Sequence, residues 1–142
     1  MAKKISVIMV LLIMILYSTV ISAEGFKHVE IFDPKQDKVV KVVQLNTEIH
    51  DLVEGWMKEI DGIHGKIDPF TDDGYVIKIP LDPAVKVQSK WLNASVREVY
   101  VIIPQQDTPF FMIIEDKAKL SCFPFNGDID KLSKVLDFKL KS

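Results

Sequence analysis

The chain has 142 residues, 48% of them apolar, and one domain of ordinary size accounts for that length. After the first 23 residues, 16 basic side chains stand against 20 acidic ones, a formal net charge of −4, and Arg97 is the single arginine. This balance excludes a typical nucleic-acid-binding protein, which carries a basic patch with arginines. Because Cys122 is the only cysteine, the composition also excludes a disulfide-framework protein.

The first 23 residues have the pattern of an export signal. Lys3 and Lys4 precede an apolar run over residues 5–16, residues 17–19 lower the hydrophobicity, and Ala23 suits the last position before cleavage, although Ile21 departs from the small-residue pattern. We therefore predict a signal peptide or N-terminal membrane anchor over residues 1–23 and a single extracytoplasmic domain over residues 24–142.

Two fates of this leader remain open. Cleavage near Ala23 would secrete the domain, whereas retention of residues 5–21, which are at the short limit for a bilayer span, would anchor it. In both cases the two lysines stay on the cytoplasmic side, so the domain lies outside. The lysine bias and the shortage of cysteine favour a bacterial cell-envelope or secreted protein.

The first elements of the domain are predicted to be a hairpin and a helix. Residues 27–32 and 39–45 are rich in β-branched and aromatic side chains and flank a polar turn. Apolar residues then recur with the spacing of one helical face over residues 47–61, capped by Asn46 or Thr47. Gly62 is expected to end this helix in the left-handed conformation. The helical face consists of Ile49, Leu52, Val53, Trp56, Met57 and Ile60.

The second half of the domain reads as a meander followed by a helix. Residues 75–81 alternate as a strand, with Pro80 expected at an edge or a strand end, and residues 85–88 are a candidate for a short strand. Residues 99–103 and 110–114 are expected to be strands buried on both faces. Residues 120–125 continue the meander, and Asp128 caps a last helix. We predict an α+β fold with an antiparallel sheet, the Trp56 face of the first helix lying across it.

Catalytic and metal-binding patterns are weak. Cys122 lies in an apolar strand without a nearby histidine, so we predict no catalytic residue there. His28, His50 and His64 lack the spacing of a zinc motif, and although Glu54 stands four residues after His50, the pair completes no known pattern. The acidic turn over residues 68–74 fails the EF-hand pattern. We therefore expect surface histidines, no metal and no cofactor.

Most aromatic side chains are expected to fill the core, but Trp91 is different. It lies in the polar stretch of residues 88–93, where an exposed aromatic side chain marks a contact surface. Trp91 is thus the one binding residue that the sequence predicts.

One resemblance is visible in the middle of the chain. The run G-Y-V-I-K-I-P-L-D-P at residues 74–83, followed by W-L-N at residues 91–93, resembles a pattern in small exported proteins of spore-forming Gram-positive bacteria. The resemblance implies an exported domain and assigns no activity or site residue.

Three functions follow as hypotheses. The first is a non-enzymatic binding domain for an unknown protein or envelope component, contacting the membrane only through residues 5–21 if the leader is retained. The alternatives are a small carboxylate-dependent hydrolase and a small-ligand carrier with a cavity under the Trp56 helix.

Overall fold

A computed structural model describes residues 27–62, 73–105, 108–115, 119–125 and 127–140. The leader, Ile63, His64 and residues 68–72 of the acidic turn lie outside the described residues. Within the described ranges, the elements in chain order are β1 (His28–Asp33), β2 (Lys38–Gln44), α1 (Thr47–Lys58), β3 (Tyr75–Gln88), β4 (Asn93–Ile103), β5 (Phe110–Glu115), β6 (Lys119–Pro124) and α2 (Ile129–Leu136).

The strands form one antiparallel six-stranded sheet with the order β2-β1-β3-β4-β5-β6. The β1–β2 hairpin comes first, and the chain then passes through α1 before β3 pairs with β1. The remaining strands follow as a meander. The predicted α+β class and the order hairpin, helix, meander and helix are confirmed.

Both helices pack on one face of the sheet, which we call the helix-side face. The apolar side of α1, including Trp56, packs in the same core as strand residues such as Ile77 and Val101. Leu132 and Leu136 of α2 join this core. The predicted placement of the Trp56 face across the sheet is therefore correct.

The opposite face of the sheet carries a second, smaller apolar cluster. Its residues lie on β1, β3, β4 and β5 and alternate along the strands with residues of the first core. The members are Phe32, Val76, Tyr100, Ile102, Phe110 and Met112, with Cys122 packed against them. Residues 99–103 of β4 are buried on both faces, as predicted.

One local prediction is wrong, and two others are only partly right. Helix α1 ends at Lys58 with Glu59 as its cap, so Gly62 does not end it. The expected short strand at residues 85–88 is the end of the continuous strand β3, whose pairing with β4 shifts register between Pro80 and Val85. Pro80 is in an interior strand, but it lies beyond the stretch Val76–Lys78 that pairs with β1, so it pairs with β4 alone and is at a local edge of the sheet.

The N-terminal caps of both helices are confirmed. The side chain of Asn46 accepts a hydrogen bond of 2.8 Å from the amide of Ile49, and Asp128 accepts one of 2.9 Å from Asp130. A capping acceptor satisfies a backbone amide that the helix itself cannot pair. Neither described helix is long and apolar enough to cross a bilayer.

Candidate functional site

Trp91 lies at the tip of the β3–β4 hairpin, which we define as residues 89–92. The turn is ordered by Ser89, whose hydroxyl oxygen accepts hydrogen bonds from the amides of Trp91 at 3.2 Å and Leu92 at 3.1 Å. The amide of Ser89 in turn donates to the carbonyl of Leu92 at 2.9 Å. Leu92 points into the core, whereas Trp91 remains 37% exposed. The hairpin tip therefore presents an indole ring from a backbone that is already held in place.

A cation accompanies this indole. The ammonium of Lys90 lies 4.9 Å from the centre of the Trp91 ring, within the range of a cation–π contact. The neighbouring Gln88 and Asn93 are also exposed. Such a tip can contact a partner through stacking, through its apolar edge and through one positive charge.

A second polar group lies on the opposite face of the sheet, in the row that runs across the strands. Glu30 of β1 pairs with Lys78 of β3, and Lys78 pairs with Tyr100 of β4. The same row continues through Met112 of β5 to Cys122 of β6. We call Glu30, Lys78, Tyr100 and the adjacent Glu98 the charged network.

The charged network is compensated internally. The ammonium of Lys78 lies 3.7 Å from one carboxylate oxygen of Glu98, and the Tyr100 hydroxyl donates a 3.1 Å hydrogen bond to the other. Burial lowers the pKa of Lys78 and raises the pKa of Glu30 and of Tyr100. Perturbed pKa values of this kind occur both in active sites and in structural ion-pair networks.

Access decides between these two interpretations. Lys78 is 2% exposed and Tyr100 is 1% exposed, so neither can contact a substrate in this conformation. Glu98 retains partial exposure but is engaged by both of them. The charged network is therefore structural. It offers no accessible pair of carboxylates of the kind that the hydrolase hypothesis requires.

Cys122 lies at the β6 end of this row and is half-buried. Burial raises the pKa of its thiol, which reduces the thiolate fraction that nucleophilic chemistry requires. That Cys122 is not a catalytic residue stays a prediction.

A third polar group lies on α1 and combines His50, Asp51 and Glu54. His50 is buried, contrary to its expected place on the surface, and its Nε2 lies 2.7 Å from the carbonyl oxygen of Pro83. Its Nδ1 lies 3.8 Å from Asp51 Oδ1 and 3.9 Å from Glu54 Oε1. The sequence carried a signal for this burial, because His50 stands three and seven residues before the core residues Val53 and Met57. His28 is half-buried on β1.

The space beneath α1 is filled by aromatic rings. The Trp56 and Phe125 ring centres are 4.6 Å apart in an edge-to-face arrangement, and those of Phe111 and Phe125 are 5.0 Å apart. A Cβ atom built on Gly127 would come within 2.4 Å of the Trp56 ring. This packing counts against the ligand-carrier hypothesis, which needs a cavity there.

Comparison of the chain with protein-family models, with curated proteins and with solved structures finds no match.

Proposed function

We propose that residues 24–142 are an exported, non-enzymatic domain that binds a protein or another component of the bacterial cell envelope through the hairpin tip. The observation that carries this proposal is the partly exposed Trp91 on a turn ordered by Ser89. Tryptophan is enriched among the residues that dominate binding energy, and an ordered turn loses little conformational entropy on binding. The export component rests on the leader sequence.

The partner that fits this tip offers two features. It has an apolar recess or flat ring face for the indole, and beside it an anionic or carbonyl group for the ammonium of Lys90. Because the Lys90 ammonium lies over the Trp91 ring, 4.9 Å from its centre, the positive charge and the aromatic surface are presented side by side to a partner. Since the domain has a formal net charge of −4, this local positive charge is the feature that would orient an anionic partner.

Sedimentation with isolated envelopes tests the binding. Trp91→Ala should lower the bound fraction of the full chain at least tenfold, whereas Trp91→Phe should retain most of it. Lys86→Ala, which removes an exposed lysine from the same hairpin, is the matched control and should bind as the native chain does. Circular dichroism should show an unchanged fold for all three. Equal sedimentation of Trp91→Ala and the native chain would overturn the proposed role of the tip.

Mass spectrometry tests the export. A species beginning at Glu24 in the culture medium would establish secretion, and the full-length chain in the membrane fraction would establish anchoring. Intact protein confined to the cytosol would contradict export in either form.

A further inference from the structure

His50, Asp51 and Glu54 converge on one side of helix α1. Each offers one atom able to bind a metal ion, and the three atoms lie within 4.8 Å of one another. On a helix, the residue four positions after a histidine lies on the same face, whereas the next residue does not, so Asp51 approaches His50 Nδ1 to 3.8 Å from the adjacent side of the helix. The three side chains differ in exposure: the His50 residue is 9% exposed, the Glu54 side chain 32% and the Asp51 side chain 67%.

The hydrogen bond to Pro83 determines which nitrogen of His50 faces the carboxylates. A carbonyl oxygen only accepts hydrogen bonds, so the contact of 2.7 Å requires the hydrogen on Nε2. In the neutral ring, Nδ1 then carries a lone pair, and it lies within 4 Å of one oxygen each of Asp51 and Glu54. Three electron-rich atoms brought together in this way form a site that attracts a cation.

We propose that His50 Nδ1, Asp51 and Glu54 bind a divalent transition-metal ion with the preferences of Zn²⁺. Histidines that bind metals usually donate their other ring N–H to a carbonyl or carboxylate, which is the arrangement that Pro83 provides. One imidazole with two carboxylates suits Zn²⁺ better than Mg²⁺ or Ca²⁺, which prefer oxygen ligands alone. Three protein ligands leave further coordination positions to water.

The distances are compatible with closure around an ion. Tetrahedral Zn²⁺ with ligands at roughly 2.0–2.2 Å places neighbouring ligand atoms about 3.3 Å apart. The present separations of 3.8 Å and 3.9 Å from Nδ1 exceed that value by little more than half an ångström, and the two carboxylates, which lie with Nδ1 inside a span of 4.8 Å, must also approach each other. Rotation of the exposed Asp51 side chain and the partly exposed Glu54 side chain can supply this movement, while His50 stays fixed by the core.

Lys58 competes with the ion for Glu54. Its ammonium lies 3.0 Å from Glu54 Oε2, one helical turn further along α1. Ion pairs of this spacing on a helix surface are weak, so a divalent ion can displace the ammonium. Removal of the Lys58 charge should therefore strengthen metal binding, an effect that a merely structural ion pair would not produce.

Isothermal titration calorimetry tests the proposal. The sample is the full chain in detergent micelles, without a histidine tag and after removal of metal ions with EDTA. Zn²⁺ should bind at one equivalent. Asp51→Asn and Glu54→Gln should each weaken the binding at least tenfold, and Lys58→Gln should tighten it about threefold. Co²⁺ should give visible absorption bands in the native chain that are lost in Asp51→Asn.

The control variants are Glu48→Gln, which removes an exposed carboxylate from the same helix, and His28→Gln, which removes a histidine outside the cluster. Both should bind Zn²⁺ as the native chain does. His50→Gln should abolish binding, and if its circular dichroism shows unfolding, the Asp51 and Glu54 variants decide. The proposal fails if no one-equivalent binding occurs, if Asp51→Asn binds as tightly as the native chain, or if millimolar Mg²⁺ competes. None of these outcomes depends on the role of Trp91.

Discussion

Glu30 is a residue whose ionised side chain is destabilised by its own burial in the fold. It is 7% exposed on β1, directly opposite Lys78, and burial raises its pKa more than the nearby ammonium of Lys78 lowers it. Desolvation thus outweighs ion pairing at this position. Burial therefore makes ionisation of the carboxyl group less favourable in the folded chain than in the unfolded chain, and the pH dependence of stability should record that difference.

We predict that Glu30→Gln changes the pH dependence of unfolding. Because the pKa of Glu30 is raised above its ordinary value of 4.5, the folded chain retains a proton that the unfolded chain has released just above that pH. The contribution of Glu30 to the free energy of unfolding therefore falls as pH rises through this window, and the variant lacks that fall. Urea denaturation between pH 4 and 7 should show the variant gaining stability relative to the native chain. Parallel curves would contradict the assignment.

At the scale of elements, helix α1 is held by a close fit between its Trp56 and the start of the α2 region. The Trp56 ring packs edge-to-face on Phe125, and the backbone of Gly127 lies so near that no Cβ would fit. Gly55, in contrast, is an exposed glycine within α1, and a Cβ atom at this position would have no neighbouring atom within 4 Å. The two glycines therefore make a matched pair.

We predict opposite effects of alanine at these two positions. Gly127→Ala should lower the free energy of unfolding by about 2 kcal/mol, because the methyl group must displace the Trp56 ring in a packed core. Gly55→Ala should raise it by roughly 0.5–1 kcal/mol, since alanine is the better helix former and meets no neighbour. Chemical denaturation of both variants checks the pair. A neutral Gly127→Ala would show that α1 and the chain after β6 are not tightly packed.

On the scale of the whole molecule, the sheet joins the two ends of the described chain. The β1–β2 hairpin precedes α1, yet β1 pairs with β3 and its residues share a core with α2. The edge strand β2 carries Lys38 and Lys41, and lysines on an edge discourage pairing with a second sheet. The ammonium of Lys41 also reaches the carbonyl of Asp137 at 2.6 Å, which links the first hairpin to the end of α2.

We expect this continuous sheet to unfold as one unit. In Trp91→Phe, the fluorescence of the remaining Trp56 in the described domain reports on the core, while far-ultraviolet circular dichroism reports on the strands and helices. The two urea transitions should coincide, because strands β1, β3, β4 and β5 each contribute residues to both apolar clusters of the sheet. Separate midpoints would show that the N-terminal hairpin opens independently.

The four exposed aliphatic residues on the described strands show that the alternation along one strand does not predict which face of the sheet is covered. Val39, Val42, Ile114 and Leu120 all lie in rows of the face opposite the helices, towards the two edges of the sheet. Strand alternation predicts that such residues share a face with every second neighbour, but it does not tell which face the helices cover. That choice is made by contacts between distant parts of the chain.

The sequence by itself determined the local elements: the period of α1, its Asn46 cap, the Asp128 cap of α2, the order of strands and helices, and Trp91 in a polar stretch. These features depend on neighbours within a few residues, so a short window contains their physical cause. Only the tertiary structure decided the lateral alignment of Glu30, Lys78 and Tyr100 and the contact of His50 with Pro83. Register and helix docking are set by packing between residues far apart in the chain, whose combined energies no local period encodes.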